Sequence, residues 1–184
     1  MRVTGGEARG RPLKRLRGLR IRPTSDRVRE ALFDILGRRI EGAAFLDAYA
    51  GTGAVGIEAL SRGARRAVFL ERDKRAIRLI RDNLGVAEWE HSSEVIEGDA
   101  GASLDRLARD TARFSIVFLD PPYDSPAPGS LLEAAGRLLS AGGILVLEHR
   151  TSLLIEPPAE EVMRRFRTYR HGDTSLTSFI SSAS

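Results

Sequence analysis

The apolar run FSIVFL ends in four residues whose groups could act together on a nucleobase: Asp120, Pro121, Pro122 and Tyr123. An exocyclic amine of a base is a poor nucleophile because its lone pair is delocalised into the ring. The Asp120 carboxylate and the Pro121 carbonyl could each accept one N–H, and rigid prolines would hold both acceptors at little further entropic cost. Tyr123 could stack on an unpaired or extruded base. The tetrapeptide therefore predicts catalysis by orientation; the alternative is a proline turn beside a buried tyrosine.

A glycine-rich loop follows another apolar run, AAFLDAY. Gly51, Gly53 and Gly56 match the G-x-G-x-x-G spacing of dinucleotide-binding loops. Asp47 precedes the loop and would face the same cleft, where it would repel a pyrophosphate by roughly 4 kcal/mol at about 4 Å and an effective dielectric near 20. A cationic ligand at the same distance would instead be attracted to Asp47 by a similar free energy. The loop therefore favours S-adenosylmethionine, which carries an ammonium and a sulfonium and no phosphate.

Acidic residues also end the next two predicted strands. Glu71 could accept both ribose hydroxyls of the donor, and Asp99, with Ala100 beside it, could accept from the adenine amino group. The alternative for Asp99 is a cap at the start of the next helix. Open α/β sheets bind ligands at the carboxyl ends of their strands. The predicted donor site therefore comprises Asp47, Gly51, Gly53, Glu71, Asp99 and Ala100.

Short apolar runs alternate with amphipathic stretches from residue 43 onwards, which is typical of an α/β fold with a parallel sheet and helices on both faces. The predicted strands are AAFLDAY, AVFLER, EVIEGD, FSIVFLD and GILVLEH, and the predicted helices cover 54–62, 75–84, 101–109 and 130–140. After the fifth strand, two strand-like runs flank the turn signal His171-Gly172-Asp173. They predict an antiparallel hairpin that reverses one edge of the sheet.

The first 40 residues are strongly basic, with twelve Lys and Arg against four Asp and Glu, in a chain whose net charge is +4. This asymmetry favours a polyanionic partner such as RNA, and the alternative is a solvated tail. We expect residues 1–22 to form an irregular or hairpin-like extension and residues 23–40 a helix. Its predicted cap is Thr24, Ser25 or Asp26, and its predicted exposed face carries Arg27, Arg29 and Glu30.

Composition argues against several other classes of protein. No apolar run approaches the roughly 18 residues of a membrane span, and residues 1–23 lack the apolar centre of a secretory signal. The chain has no cysteine, and its three histidines do not have the spacing of metal ligands. We therefore expect a single cytoplasmic domain over residues 1–184, with no membrane partner and no metal.

The chain resembles the RsmD-type guanine-N2 methyltransferases of bacterial small-subunit ribosomal RNA. The resemblance covers nearly the whole chain and rests on VTGGEARGRPL, RPTSDRVREALFDIL, FLDAYAGTGAVGIEALSRGA, VFLERD, FLDPPY and YRHGDTSLTSFI. It implies a class I Rossmann-like methyltransferase that uses S-adenosylmethionine to methylate one guanine of 16S ribosomal RNA, within an assembled or assembling small subunit.

The same resemblance assigns roles to residues. Donor binding falls to Asp47, Gly51, Gly53, Glu71 and Asp99, and the target amine to Asp120, Pro121, Pro122 and Tyr123. The basic extension and the following helix then supply candidate contacts to RNA phosphates, which are Arg11, Lys14, Arg15, Arg17, Arg20, Arg22, Arg27 and Arg29.

Other functions share parts of this pattern. Adenine-N6 methylation of nucleic acid and amide methylation of protein glutamine use similar acid-Pro-Pro-aromatic sites. A dinucleotide-dependent oxidoreductase would use the glycine spacing, which Asp47 opposes. A non-enzymatic RNA-binding assembly factor would keep the basic extension but would need neither the donor site nor the tetrapeptide.

Overall fold

The computed structural model describes residues 1–15, 24–122, 128–156, 159 and 162–182. Within these residues the helices are α1 (Asp26–Leu36), α2 (Ala54–Ser61), α3 (Lys74–Ala87), α4 (Ala100–Arg109) and α5 (Pro128–Gly136), with short 3-10 helices over Gly37–Ile40 and Glu90–Ser92. The strands are β1 (Ala44–Ala48), β2 (Arg66–Glu71), β3 (Ser93–Glu97), β4 (Phe114–Leu119), β5 (Leu139–Arg150), β6 (Met163–His171) and β7 (Thr174–Ser181). In the part of the chain described, no helix has both the length and the apolar character needed to cross a membrane.

All the strands form one sheet in the order β3-β2-β1-β4-β5-β7-β6. Strands β1 to β5 pair in parallel, β7 is antiparallel to β5, and β6 is antiparallel to β7. The predicted α/β fold with a reversed edge hairpin is confirmed. The direction in which the chain adds strands changes between β1 and β4, which is where open sheets of this kind bind ligands.

Two apolar layers cover the two faces of the sheet, because buried residues alternate in direction along each strand. Phe45, Phe69 and Phe118 pack with α1, α2 and α3 on one face. Leu46 and Val117 pack with α4 and α5 on the other face. The central strands are therefore apolar on both sides, as a parallel sheet between two helical layers requires.

Most predicted helix bounds differ from the structure by one to four residues, and the helix expected over 75–84 spans Lys74–Ala87. Two of the differences have a clear local cause. The helix expected over 130–140 ends at Gly136, because the Phe114 N–H bonds the Leu138 carbonyl and Leu139 already pairs with Phe114 as the start of β5. The helix expected over 23–40 is α-helical only from Asp26, with the Ser25 hydroxyl as its cap, and it tightens into a 3-10 turn at Gly37. Pairing in the sheet and a glycine at φ 51° decide these ends.

Residues 1–15 form what we call the N-terminal hairpin, which packs on the domain as a small antiparallel turn. Arg2 bridges Pro12, and Val3 and Leu13 are buried in the core. Gly6 has φ 78°, and a Cβ atom there would lie 1.8 Å from the Ser61 carbonyl oxygen at the end of α2. The hairpin-like expectation is confirmed for these residues, and close contact with α2 explains this glycine.

A buried ion network joins this hairpin to α1 and α2. The Arg29 Nε lies 2.6 Å from Glu58 Oε2, and both side chains are fully buried. Arg62 also bonds Glu58, at 2.8 Å, and the Thr4 backbone N–H and hydroxyl both donate to the same carboxylate. The second guanidinium nitrogen of Arg29 donates to the Arg2 carbonyl at 2.8 Å. The hairpin therefore adds hydrogen bonds to both members of a charge pair that is closed to water.

The prediction that Arg29 lies on the exposed face of α1 and contacts RNA is wrong. Arg29 has no exposed surface, because the hairpin and α2 cover the flank of α1 on which it lies. Its charge is balanced by Glu58 and by Asp26, 2.8 Å away. Arg29 therefore has a structural role.

Replacing Glu58 with alanine should strongly destabilise the protein. The substitution leaves the buried Arg29 without its carboxylate, and breaking a buried pair in this way costs about 3–5 kcal/mol. Urea denaturation should show this loss in the free energy of unfolding. The matched control is Asp105→Ala, which removes the partner of Arg137 in a pair whose side chains are 52% and 54% exposed, and which should cost less than about 1 kcal/mol. Equal stability of the two variants would contradict the assignment.

Candidate active site

The carboxylates of Asp47, Glu71 and Asp120 converge at one edge of the sheet, where β1, β2 and β4 end side by side. Asp47 is 2% exposed. Its pKa is raised to about 7, chiefly by burial and further by the negative charges of Asp120 and Glu71, while a hydrogen bond from the Gly56 N–H opposes the rise. The site therefore concentrates negative charge and lowers its energy by binding a cation.

Asp47 also fixes the glycine loop. Its Oδ2 accepts from the Gly56 N–H at 2.9 Å, so the start of α2 lies against the end of β1. A Cβ atom on Gly56 would lie 2.3 Å from the Phe69 ring, and Gly53 has φ 74° at the start of the helix. The third glycine therefore permits close packing of helix on strand, and the second permits the tight turn before it.

Glu71 joins the loop to β2. Its Oε2 accepts from the Gly51 N–H at 2.7 Å, and its Oε1 accepts from the N–H groups of Arg72 and Asp73, both at 2.8 Å. A carboxylate has about four acceptor positions, so these bonds leave room for one more donor. Contact with both ribose hydroxyls would require Glu71 to release a backbone group.

Asp99 caps α4, because its Oδ1 accepts from the Ala102 N–H at 3.1 Å. The side chain is nevertheless exposed, and Ala100 beside it is buried. Its charge also acts on Tyr49, whose pKa is raised by partial burial and then by Asp99, and lowered by Arg72. Asp99 therefore combines a capping role with a position at the rim of the site.

Sequence reasoning gave Tyr49 no role in the site, yet its side chain lines the same cleft as Asp47 and Asp120. Its φ of 68° is rare for a residue other than glycine or asparagine. The strained backbone turns the chain from β1 into the glycine loop and places the ring beside the cleft. Neither an apolar pattern nor a motif indicates such a conformation in advance.

Thr24 was also missed as a site residue, since the sequence suggested it only as a possible helix cap. Its hydroxyl donates to Asp120 Oδ2 at 3.4 Å, and its side chain lines the cleft with Phe118. Ser25 takes the capping position instead. The segment before α1 therefore reaches the carboxylate at the end of β4.

The tetrapeptide continues from this carboxylate. Asp120 and Pro121 are partly buried and Pro122 is exposed. Asp120 is thus at the junction of cleft and solvent, where a substrate could reach it. Tyr123 lies outside the described residues.

The candidate phosphate contacts differ in their surroundings. Arg11, Lys14, Arg15 and Arg27 are exposed. Arg11 donates to the Val86 carbonyl at 2.9 Å, and Lys14 pairs with Asp82 at 3.0 Å, so both are held against α3. Arg17, Arg20 and Arg22 lie outside the described residues. Among the residues that are described, no group of three His, Asp or Glu side chains is placed to hold a metal ion.

Comparisons with known proteins agree along nearly the whole chain. The family profile described as conserved hypothetical protein 95 matches residues 1–180. The candidate rRNA methyltransferase YlbH of Bacillus subtilis (strain 168) is 38% identical over 172 residues, which cover 92% of this chain and 94% of that protein. Ribosomal RNA small subunit methyltransferase D of Escherichia coli (strain K12) is 38% identical over 148 residues, which cover 80% of this chain and 71% of that one.

A solved structure gives the same relationship in three dimensions. The candidate methyltransferase yhhF from Escherichia coli superposes with a TM-score of 0.87 at 31% identity, covering 100% of this chain and 99% of that one. Similarity of this extent, in sequence and in structure, includes the N-terminal hairpin, the glycine loop and the strand that ends in Asp120. The chain belongs to the family described as conserved hypothetical protein 95, the family of the RsmD-type ribosomal RNA methyltransferases.

Proposed function

We propose that the protein transfers the methyl group of S-adenosylmethionine to the exocyclic N2 amine of a guanine in small-subunit (16S) ribosomal RNA. The observation that supports this most strongly is a cluster of carboxylates where β1, β2 and β4 end: Asp47 and Asp120 line the cleft, Glu71 lies close enough to act on Asp47, and the pKa of Asp47 is raised to about 7. A donor that carries two positive charges suits this cleft. A dinucleotide pyrophosphate does not.

The residues around the glycine loop would hold the donor, which supplies an electrophilic methyl group on a sulfonium when bound. Asp47 stabilises the positive charge of the methionine end, and Gly51 and Gly53 allow close approach to the backbone. Glu71 offers its remaining acceptor position to the ribose, and Asp99 with Ala100 offers the adenine contact. Each of these residues lies at the carboxyl end of a parallel strand or in the turn that follows it, except Ala100, which begins α4.

The end of β4 would hold the acceptor. Asp120 and the Pro121 carbonyl each accept one N–H of the target amine, so its lone pair is aimed at the methyl carbon. The Thr24 hydroxyl holds the Asp120 carboxylate in place. Asp120 also stabilises the positive charge that develops on the nitrogen as it takes the methyl group, and the methylated nitrogen then gives one proton to water. Pro122 keeps the turn rigid, and Tyr123 stacks on the base.

Ribosomal RNA is favoured as substrate by the names of the relatives and by the exposed basic side chains of the N-terminal hairpin. A duplex would hide the amine, so the target guanine must be unpaired or extruded. The substrate is the small ribosomal subunit or an intermediate of its assembly. The guanine-N2 position rests on the resemblance of nearly the whole chain to the RsmD-type enzymes, in which RPTSDRVREALFDIL and FLDPPY occur together. The tetrapeptide alone also fits adenine-N6 transfer, which is the alternative that product analysis must exclude.

Small ribosomal subunits from cells that lack this methylation should accept tritiated methyl groups from S-adenosylmethionine. Nucleoside analysis of the product should place the label on N2 of guanine. Unmethylated duplex DNA is the control substrate and should stay unlabelled. Label on adenine, or on DNA alone, would overturn the proposed substrate.

Replacing Asp120 with alanine should lower the rate of transfer far more than donor affinity, because Asp120 contacts the acceptor and acts on the donor site only through its charge. Loss of one preorganised electrostatic contact of this kind lowers kcat by about a hundredfold to a thousandfold. Single-turnover methyl transfer and calorimetric titration with S-adenosylhomocysteine measure the two effects. Asp110→Ala, at the exposed end of α4, is the matched control. Near-normal turnover of the Asp120 variant would remove this residue from the mechanism.

Donor affinity should depend on pH through Asp47. Its pKa in the folded protein lies above the ordinary value of 3.8, so its contribution to stability is present below about pH 4 and is lost as the pH rises through about 7. Ionisation of Asp47 is unfavourable in the empty cleft. A cationic donor interacts favourably with the ionised carboxylate and therefore binds better when Asp47 is charged. Affinity for S-adenosylmethionine should therefore rise up to about tenfold between about pH 6 and about pH 7.5.

Isothermal titration in two buffers with different heats of ionisation measures this affinity and the accompanying release of a proton. Asp47→Asn should bind more weakly and lose most of the pH dependence. NADH, titrated in parallel, should not bind. An affinity of the wild-type protein that does not change over this range would contradict the role of Asp47.

A further inference from the structure

A groove separate from the donor cleft lies between α1 and the edge strand β6, and we call it the α1–β6 groove. It encloses about 290 Å³. Arg27, Glu30 and Asp34 line it from α1, and Arg167 and Tyr169 line it from β6. A cavity of this size lies close to the lower end of the range for small-molecule sites, which suits one nucleotide.

The groove and the candidate active site open on the same side of the sheet, the side where the parallel strands have their carboxyl ends. Strands β5 and β6 are both antiparallel to β7 and therefore run in the same direction, so Tyr169, near the end of β6, lies at the edge where β4 ends in Asp120. Arg27 follows Thr24 by less than one helical turn, and Thr24 bonds Asp120. A chain with one residue at Asp120 could continue directly into the groove.

The chemical groups in the groove match those of an unpaired nucleotide. Tyr169 is 37% exposed and offers a ring for stacking. Arg27 and Arg167 are cations suited to phosphate, and Glu30 and Asp34 can accept from base N–H groups. Within the described residues, none of these four charged side chains is in an ion pair shorter than 4.0 Å. The groove thus presents its charges to a ligand.

The charge of the edge strand selects between possible occupants. Strand β6 carries four exposed arginines, Arg164, Arg165, Arg167 and Arg170. A second copy of the chain that paired along this edge would bring two such arrays together, which opposes pairing. A polyanion gains from the same array. The charge therefore favours RNA over self-association.

We propose that the α1–β6 groove binds an unpaired nucleotide of the RNA substrate that flanks the target nucleotide. Tyr169 stacks on its base, Arg27 and Arg167 contact the adjoining phosphates, and Glu30 and Asp34 read its base edge. The identity of this occupant as substrate RNA rests on the proposed function. The groove would help to select one site within a folded ribosomal RNA.

The test compares Tyr169→Ala, Tyr169→Phe and the double variant Arg27→Ala/Arg167→Ala with the wild-type protein. Fluorescence anisotropy measures binding of a labelled single-stranded RNA in the presence of S-adenosylhomocysteine. Tyr169→Ala should weaken binding about fivefold to 150-fold, because stacking is lost, and Tyr169→Phe should bind like the wild type. The double variant should reduce the slope of log affinity against log salt by about 1.4, which corresponds to two phosphate contacts on a single strand.

Steady-state methyl transfer provides the second readout. The Tyr169→Ala variant should show the same rise in KM for RNA, with kcat within about twofold of the wild type and unchanged affinity for S-adenosylhomocysteine. Arg109→Ala removes an exposed arginine at the far end of α4 and is the matched control for charge. Thermal denaturation of each variant verifies that the fold is retained.

The outcomes separate the two proposals. If the Tyr169→Ala variant and the double variant both keep the affinity and salt slope of the wild type, the groove does not bind RNA. This outcome would overturn the inference whether or not the protein methylates RNA. Groove-dependent RNA binding without methyl transfer would support the groove and refute the proposed function. A wild-type dimer that the double variant abolishes would assign the groove to a second copy of the chain and would also overturn this inference.

Discussion

The hydrogen bond from the Gly56 N–H to the buried Asp47 carboxylate is the constraint on which the site depends. It fixes the start of α2 against the end of β1 and sets the path of the glycine loop between them. It also supports a negative charge in a place that burial makes unfavourable, beside two more carboxylates. The protein therefore maintains a cleft whose electrostatic energy is high until a cation enters it. The proposed cationic methyl donor would lower this electrostatic energy when it binds.

Helix α2 connects the cleft to the rest of the fold. Its first turn is held by Asp47 through the Gly56 N–H, and two residues further on Glu58 forms the buried pair with Arg29. The N-terminal hairpin bonds the same Glu58 through Thr4. The placement of the glycine loop, of α1 and of the hairpin therefore depends on one short helix. Thr24, just before α1, bonds Asp120, so the position of this carboxylate depends on α2 as well.

Sequence reasoning predicted the sheet, its reversed edge and the strand ends of the candidate site, because apolar periodicity and acidic residues after strands are local signals. It failed where a distant partner decides the outcome. Arg29 reads as a surface residue because its partner Glu58 lies 29 positions away. The backbone bonds of Glu71 and the left-handed conformation of Tyr49 likewise depend on the folded loop. The sequence pattern shows which residues lie at the ends of the strands. The packing of the folded loop decides which of their carboxylate oxygens remain free to bind a ligand.

The contact of Gly6 with the Ser61 carbonyl, and of Thr4 with Glu58, makes the N-terminal hairpin an integral part of the domain. Its basic side chains thus lie on a segment whose inner side forms hydrogen bonds with the buried Arg29–Glu58 ion pair. A chimaera that exchanged this hairpin between family members would have to transfer the matching face of α2 with it. Changes to the proposed RNA contacts of the hairpin are therefore confined to its outward-facing positions, since inward changes alter the stability of the domain itself.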